Sequence, residues 1–207
     1  MPTHPPILPA YWRTLLDTCS KLEMHAPGIR QALFCRAHPD GFLIDDLPAD
    51  WCKAAKRASS KNTGQRLARW ARNGWLVRSG WPNKRFTPTP AFHALLPLPP
   101  RIAARMSKHL EVWYRLITEH HPAHHPMRLF AGLVECATCT CPNGYPAPNG
   151  QIDVPYLNYS RDPNGPRWRL LRSLGLVTKF PRLPGDSKSI VGRLFLTPHG
   201  RKVLGLH

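Results

Sequence analysis

Residues 60–80 read SKNTGQRLARWARNGWLVRSG, and the architecture of the whole chain can be built up from them. Ser59 and Ser60 can cap a helix, because their side-chain oxygens accept from its free N–H groups. Leu67, Trp70 and Ala71 then fall on an inward side, while Arg66, Arg69 and Arg72 step along at intervals of three. Gly74 stops the helix, and Trp75-Leu76-Val77-Arg78 is a short extended run. One hundred positions later the text is Pro166-Arg167-Trp168-Arg169-Leu170-Leu171-Arg172, followed by Leu176-Val177. At that offset Arg69 and Arg72 fall on Arg169 and Arg172. The expectation is two copies of one structural unit.

Charge supports two units with a common kind of partner. The chain of 207 residues carries a formal net charge of +17. Residues 1–100 hold 14 Lys+Arg against 6 Asp+Glu, and the remainder holds 15 against 6, so the excess is no basic tail. Two basic surfaces point to a polyanion, since cations that neutralise phosphates release condensed counterions. No run approaches the roughly 18 apolar residues of a membrane span. The start, MPTHPPILPA, lacks the apolar core of a signal peptide. A cytoplasmic protein with no membrane partner is expected. Its six cysteines, at 19, 35, 52, 136, 139 and 141, are then thiols or metal ligands rather than disulfides.

Outward from the arginine helix, the expected order can be laid along the chain. Residues 1–9, with four prolines, form an N-terminal arm. A first unit over 10–96 has helices at Tyr11 to about His25, Ile29–Ala37 and from near Pro48 to Ala58, with a small strand at Phe42-Leu43-Ile44. After the arginine helix come a hairpin (Leu76–Ser79 and Arg85–Thr87) and a short helix, Phe92–Leu96, capped by Thr89. A Pro-rich linker spans 97–101. The second unit, 102–207, opens with helices Ile102–Glu119 and Met127–Ala137, and a Cys/Pro/Gly loop is inserted near 136–150. Gln151-Ile152-Asp153 matches Leu43-Ile44-Asp45 at an offset of 108, and Thr197-Pro198 matches Thr89-Pro90 at the same offset. Between them are expected a helix at Val154–Tyr159, a basic helix running to Ser173, and a hairpin of Leu176–Phe180 and Val191–Leu196. The fold class is α+β, mostly α: two tandem winged helix-turn-helix domains, each with a small β-hairpin wing.

Leu174-Gly175-Leu176-Val177, a polar turn and Leu194-Phe195-Leu196-Thr197-Pro198-His199-Gly200-Arg201 resemble the wing of MarR-type and related winged-helix repressors. The first half carries a degraded version, with Phe92 where the second has Gly200. Two units in tandem depart from the usual single unit flanked by dimerisation helices. The resemblance implies duplex DNA as partner, and a homodimer or another protein partner besides.

An α-helix fits the major groove, where Arg reads guanine and Asn or Gln reads adenine. The candidate DNA contacts in the first unit are Asn62, Thr63, Gln65, Arg66, Arg69 and Arg72, with Lys84 and Arg85 at the wing tip. In the second they are Arg161, Asn164, Arg167, Arg169 and Arg172, with Arg182 and Lys188 at the tip. Lys53, Lys56 and Arg57 suit phosphates. Trp70, Trp75 and Trp168 read as core, and neither half offers the exposed aromatic sheet usual for single strands. Cys136, Cys139 and Cys141 with His125 form a candidate structural zinc site, though the second Cys-x2-Cys of the strong pattern is missing. The alternative is a thiol-bearing loop.

With 12 carboxylates and no phosphate loop or nucleophile elbow, the chain is not expected to be an enzyme. The function expected is sequence-specific double-stranded DNA binding in transcription regulation. Alternatives are a replication-initiation or partition protein of a plasmid or mobile element that binds repeats, and a winged-helix module for protein interaction or architecture.

Overall fold

The computed structural model describes residues 5–21, 26–48, 51, 63–80, 84–121, 126–148, 167–188 and 190–206. The expected helix after Pro48 lies outside them apart from Trp51. So do Gln151-Ile152-Asp153, Val154–Tyr159, Lys53, Lys56, Arg57 and Trp81. What is described is α+β and mostly helical, with eight α-helices and two small three-stranded antiparallel sheets. No helix among the described residues is long and apolar enough to cross a membrane.

The first half contributes α1 (Pro9–Lys21), α2 (Ala26–Ala37), β1 (Phe42–Leu43), α3 (Thr63–Arg72), β2 (Leu76–Ser79), β3 (Arg85–Pro88) and α4 (Pro90–Leu95). The second contributes α5 (Pro100–His120), α6 (Pro126–Thr138), β4 (Tyr145–Pro148), α7 (Arg167–Ser173), β5 (Val177–Phe180), β6 (Ile190–Leu196) and α8 (Pro198–Val203). The sheet orders are β1-β3-β2 and β4-β6-β5, the same topology twice.

Local chemistry explains why the two halves agree. Each arginine helix ends in the same motif: Gly74 and Gly175 take positive φ, +74° and +66°, which a residue with a Cβ adopts only under strain. The Gly74 N–H then donates to Ala71 O and the Trp75 N–H to Trp70 O, as Gly175 does to Arg172 O and Leu176 to Leu171 O. The Thr89 hydroxyl donates to Gly74 O at 2.9 Å and accepts from the Phe92 N–H. Thr197 does the same, donating to Gly175 O at 2.6 Å and accepting from the Gly200 N–H. One hydroxyl therefore ties the turn after each arginine helix to the start of the closing helix.

These bonds correct the repeat register. Gly74 matches Gly175 and Leu76 matches Val177, an offset of 101 rather than 100. Arg66 then corresponds to Arg167, whereas Arg169 and Arg172 stand at the places of Ala68 and Ala71. One residue is roughly 100° of helical turn, so the exposed arginines of α7 project from a different side than Arg69 and Arg72.

A second correction concerns the strand before α7. It is β4, inside the stretch expected to be an inserted loop, and its Tyr145 pairs with Leu194 as Phe42 pairs with Phe86. Pro146 and Pro148 suggested a loop because proline cannot donate to a ladder. β4 is an edge strand, where that is tolerated.

The halves meet in one core. α1 packs on α6 and α2 on α5. Trp12 is fully buried, donates from Nε1 to Leu204 O at 2.8 Å and lies edge-on to Phe130 at 4.7 Å. Arg30 of α2 makes a bidentate pair with Glu111 of α5, both distances 2.5 Å, while the faces of Trp51 and Tyr114 lie 4.7 and 5.0 Å from its guanidinium carbon. In the expected linker Leu98 is buried and Pro100 already begins α5.

The closing helices pack differently at their third residue. Phe92 of α4 is buried with its ring 6.0 Å from Trp70. A Cβ at the matching Gly200 would lie 2.2 Å from Leu176 O, a carbonyl already held by the Thr197 N–H. Alanine is ordinarily about 1 kcal/mol better than glycine in a helix. Here the sign reverses: Gly200→Ala is expected to destabilise by about 1–3 kcal/mol through overpacking, measured as a lower denaturation midpoint. A raised midpoint would show that α8 can move away from Leu176.

Candidate nucleic-acid interface

Between α3 and β2 runs an open cleft of about 1160 Å³ lined by Gln65, Ala68, Arg69, Ala71, Arg72 and Arg78, among others. It arises because α3 buries Leu67 and Trp70, which turns Gln65, Arg69 and Arg72 out on the other side at helical spacing. The turn at Gly74 then lays β2 beside the helix. None of the lining residues is acidic. Four carboxylates elsewhere have cationic partners of their own: Asp17 and Glu135 with Arg13, Glu111 with Arg30, and Asp186 with Arg193. Among the described residues the cleft therefore presents positive charge with no acidic side chain in its lining.

The residues expected to touch DNA divide into groups. Gln65, Arg69 and Arg72 are exposed and line the cleft together. Arg66 is turned back into the protein, donating from Nη1 to Oε1 of the buried Gln31 at 2.8 Å. Burial lowers its guanidinium below the ordinary value, with the charge of Arg69 adding to the effect. That bond fastens α3 to α2, while Arg66 also stands among the residues that line the cleft. Arg85 folds over the turn before β1 and donates from Nη2 to Asp40 O at 2.7 Å, and Lys84 precedes it half-buried.

In the second half Arg169 and Arg172 are exposed on α7, and Arg182 and Lys188 are exposed in the β5–β6 connection. Thr63 and Arg167 are the first residues of α3 and α7. Asn62, Arg161 and Asn164 lie outside the described residues.

Two features escaped the sequence reading. Arg78 joins the cleft from β2, and the matching residue on β5 is Lys179, also exposed. The signal was present in the repeat once the glycines rather than the arginines are superposed. The other is an exposed aromatic group on the second sheet, Phe180 against Phe195 at 5.4 Å, which corrects the expectation that neither half carries one.

The second hairpin is braced from within. Arg193 grips both carboxylate oxygens of Asp186, which also accepts the Leu183 N–H at 2.8 Å. These hydrogen bonds hold the Asp186 carboxyl below the usual carboxylate range.

No zinc site is assembled from the described residues alone. Among the described residues no three His, Cys, Asp or Glu side chains gather to hold a metal ion, and His125 lies outside them. α6 continues through Thr138, which keeps Cys136 half-buried on the helix while Cys141 is exposed beyond it. Burial first, then Cys139 and Glu135, pushes the Cys136 thiol up to about 12. Burial likewise raises Cys139. Raised thiols stay protonated, so Cys136 and Cys139 are not activated as nucleophiles.

Searches against family models, curated proteins and solved structures find no match to this chain.

Proposed function

We propose that the chain is a sequence-specific double-stranded DNA-binding protein, built as two tandem winged helix-turn-helix units and acting in transcription regulation. The observation that carries this reading is the α3–β2 cleft: arginines on a helix whose opposite side is core, with no acidic residue among its lining. An α-helix of this kind fits a major groove, with Gln65, Arg69 and Arg72 toward base edges and Arg78 toward phosphate. The repeated sheet order, the repeated glycine turn and the repeated threonine bridge support a second unit of the same type. The wing-like text at Leu174–Val177 and Leu194–Arg201 supports it too. Because the halves share a core, the two basic helices have a set separation, which suits two half-sites at one spacing.

The test is selection from a randomised duplex pool with the wild type, Arg69→Ala and Arg169→Ala. A two-part motif that loses a different half in each variant is the expected result. Binding to any duplex without an enriched motif would overturn sequence-specific regulation.

A further inference from the structure

The outer face of the second sheet departs from the first at equivalent positions. Along β5, Val177 is buried while Phe180 is 55% exposed, an unusual setting for so large an apolar ring. Register places Phe195 opposite Thr178 and Arg193 opposite Phe180, so the two phenylalanines and Arg193 share one face. The matching residues of the first sheet are Ser79 for Phe180, Thr87 for Phe195 and Arg85 for Arg193. The same topology is thus built with polar residues in one copy and an aromatic pair in the other. The aromatics are not a demand of the fold.

The pair borders an open pocket of about 490 Å³ completed by Pro181, Leu183 and Asn143. The rings meet at 84°, edge to face. Arg182 and Lys188 are exposed in the adjoining connection, and the carboxylate there, Asp186, is held by Arg193. The occupant must therefore offer flat apolar faces and negative charge. A second copy of a chain with net charge +17 brings the wrong sign. An unpaired nucleotide brings both: its base stacks on an aromatic ring, its edge can meet the Asn143 amide, and its phosphates suit Arg182 and Lys188.

We propose that the outer face of β5 and β6, centred on Phe180 and Phe195, is a stacking site for an unpaired base of single-stranded DNA. It is separate from the α3–β2 cleft, because bases within a duplex are already stacked and cannot enter it. The choice of DNA over RNA rests on the duplex reading above. The Asp186–Arg193 pair holds the connection in place before the strand arrives, which lowers the ordering cost of binding.

The test measures binding of the full chain to three labelled probes: oligothymidylate and oligouridylate of about 15 nucleotides, and a duplex. Phe180→Ala is expected to weaken oligothymidylate binding about tenfold and leave the duplex unchanged, while Phe180→Tyr keeps both. Arg69→Ala should do the reverse, losing the duplex alone, so failure of the duplex reading is visible separately. Phe180 is exposed, and an unchanged melting curve for Phe180→Ala checks that the fold is kept. Wild type that does not bind oligothymidylate, or that binds it as well with alanine at 180, overturns the proposal. Clear preference for oligouridylate overturns the choice of DNA.

Discussion

Trp12→Ala is expected to lower the stability of the whole chain by about 3–5 kcal/mol, with both halves unfolding together. Trp12 belongs to α1 of the first half, yet its partners are in the second: Phe130 on α6, and Leu204 O at the end of α8. Its loss opens a cavity and leaves a carbonyl without its indole donor, two penalties at one position. Denaturant unfolding followed by circular dichroism and tryptophan fluorescence checks this. The wild type should give coincident transitions, and the variant a single transition at a lower midpoint. Two transitions, with only the first-half one displaced, would mean that the halves are independently stable and that their contact adds little.

The second large effect tests the proposed duplex binding. Arg69→Glu combined with Arg72→Glu is expected to abolish measurable specific duplex binding. Two bidentate base contacts are together worth about 2–6 kcal/mol, and reversal adds repulsion from phosphate. Both side chains are exposed, so the melting temperature should hardly move. Arg66→Ala gives the contrasting result: reduced stability from the loss of its bond to the buried Gln31, with a smaller change in affinity. Titrations at several salt concentrations separate the roles, because each lost phosphate contact flattens the salt slope by about one. If Arg66→Ala weakened binding as strongly as the double reversal while the protein stayed folded, the division of α3 into a reading side and an anchoring side would be wrong.

Legibility followed the range of the forces involved. α3, its end at Gly74 and the caps at Thr89 and Thr197 could be read because each depends on a few neighbouring residues: a positive φ, a hydroxyl beside a free N–H, a change of period. Arginines have no single required place on an exposed helix and put the repeat offset at 100, whereas the glycines, which do, put it at 101. β4 was missed for a related reason. Pro146 and Pro148 carry a local signal against strand, and what permits them is the edge position opposite β6. The candidate site divides likewise: Gln65, Arg69 and Arg72 share a side by helical spacing, but Arg78 joins them only once β2 folds back along α3.

Backbone conformation and side chains within a few residues set the approximate places of the described helices, the two hairpins and the sign of the charge, so these were legible along the chain. That α1 and α2 bury their apolar sides against α5 and α6 in one core emerges only when the whole chain packs. The same packing bonds Arg66 to Gln31 and brings Phe180 against Phe195. Apolar burial is non-directional: a helix pattern states that one side must be covered but does not name the cover. That choice is made by the shapes that meet when the whole chain packs.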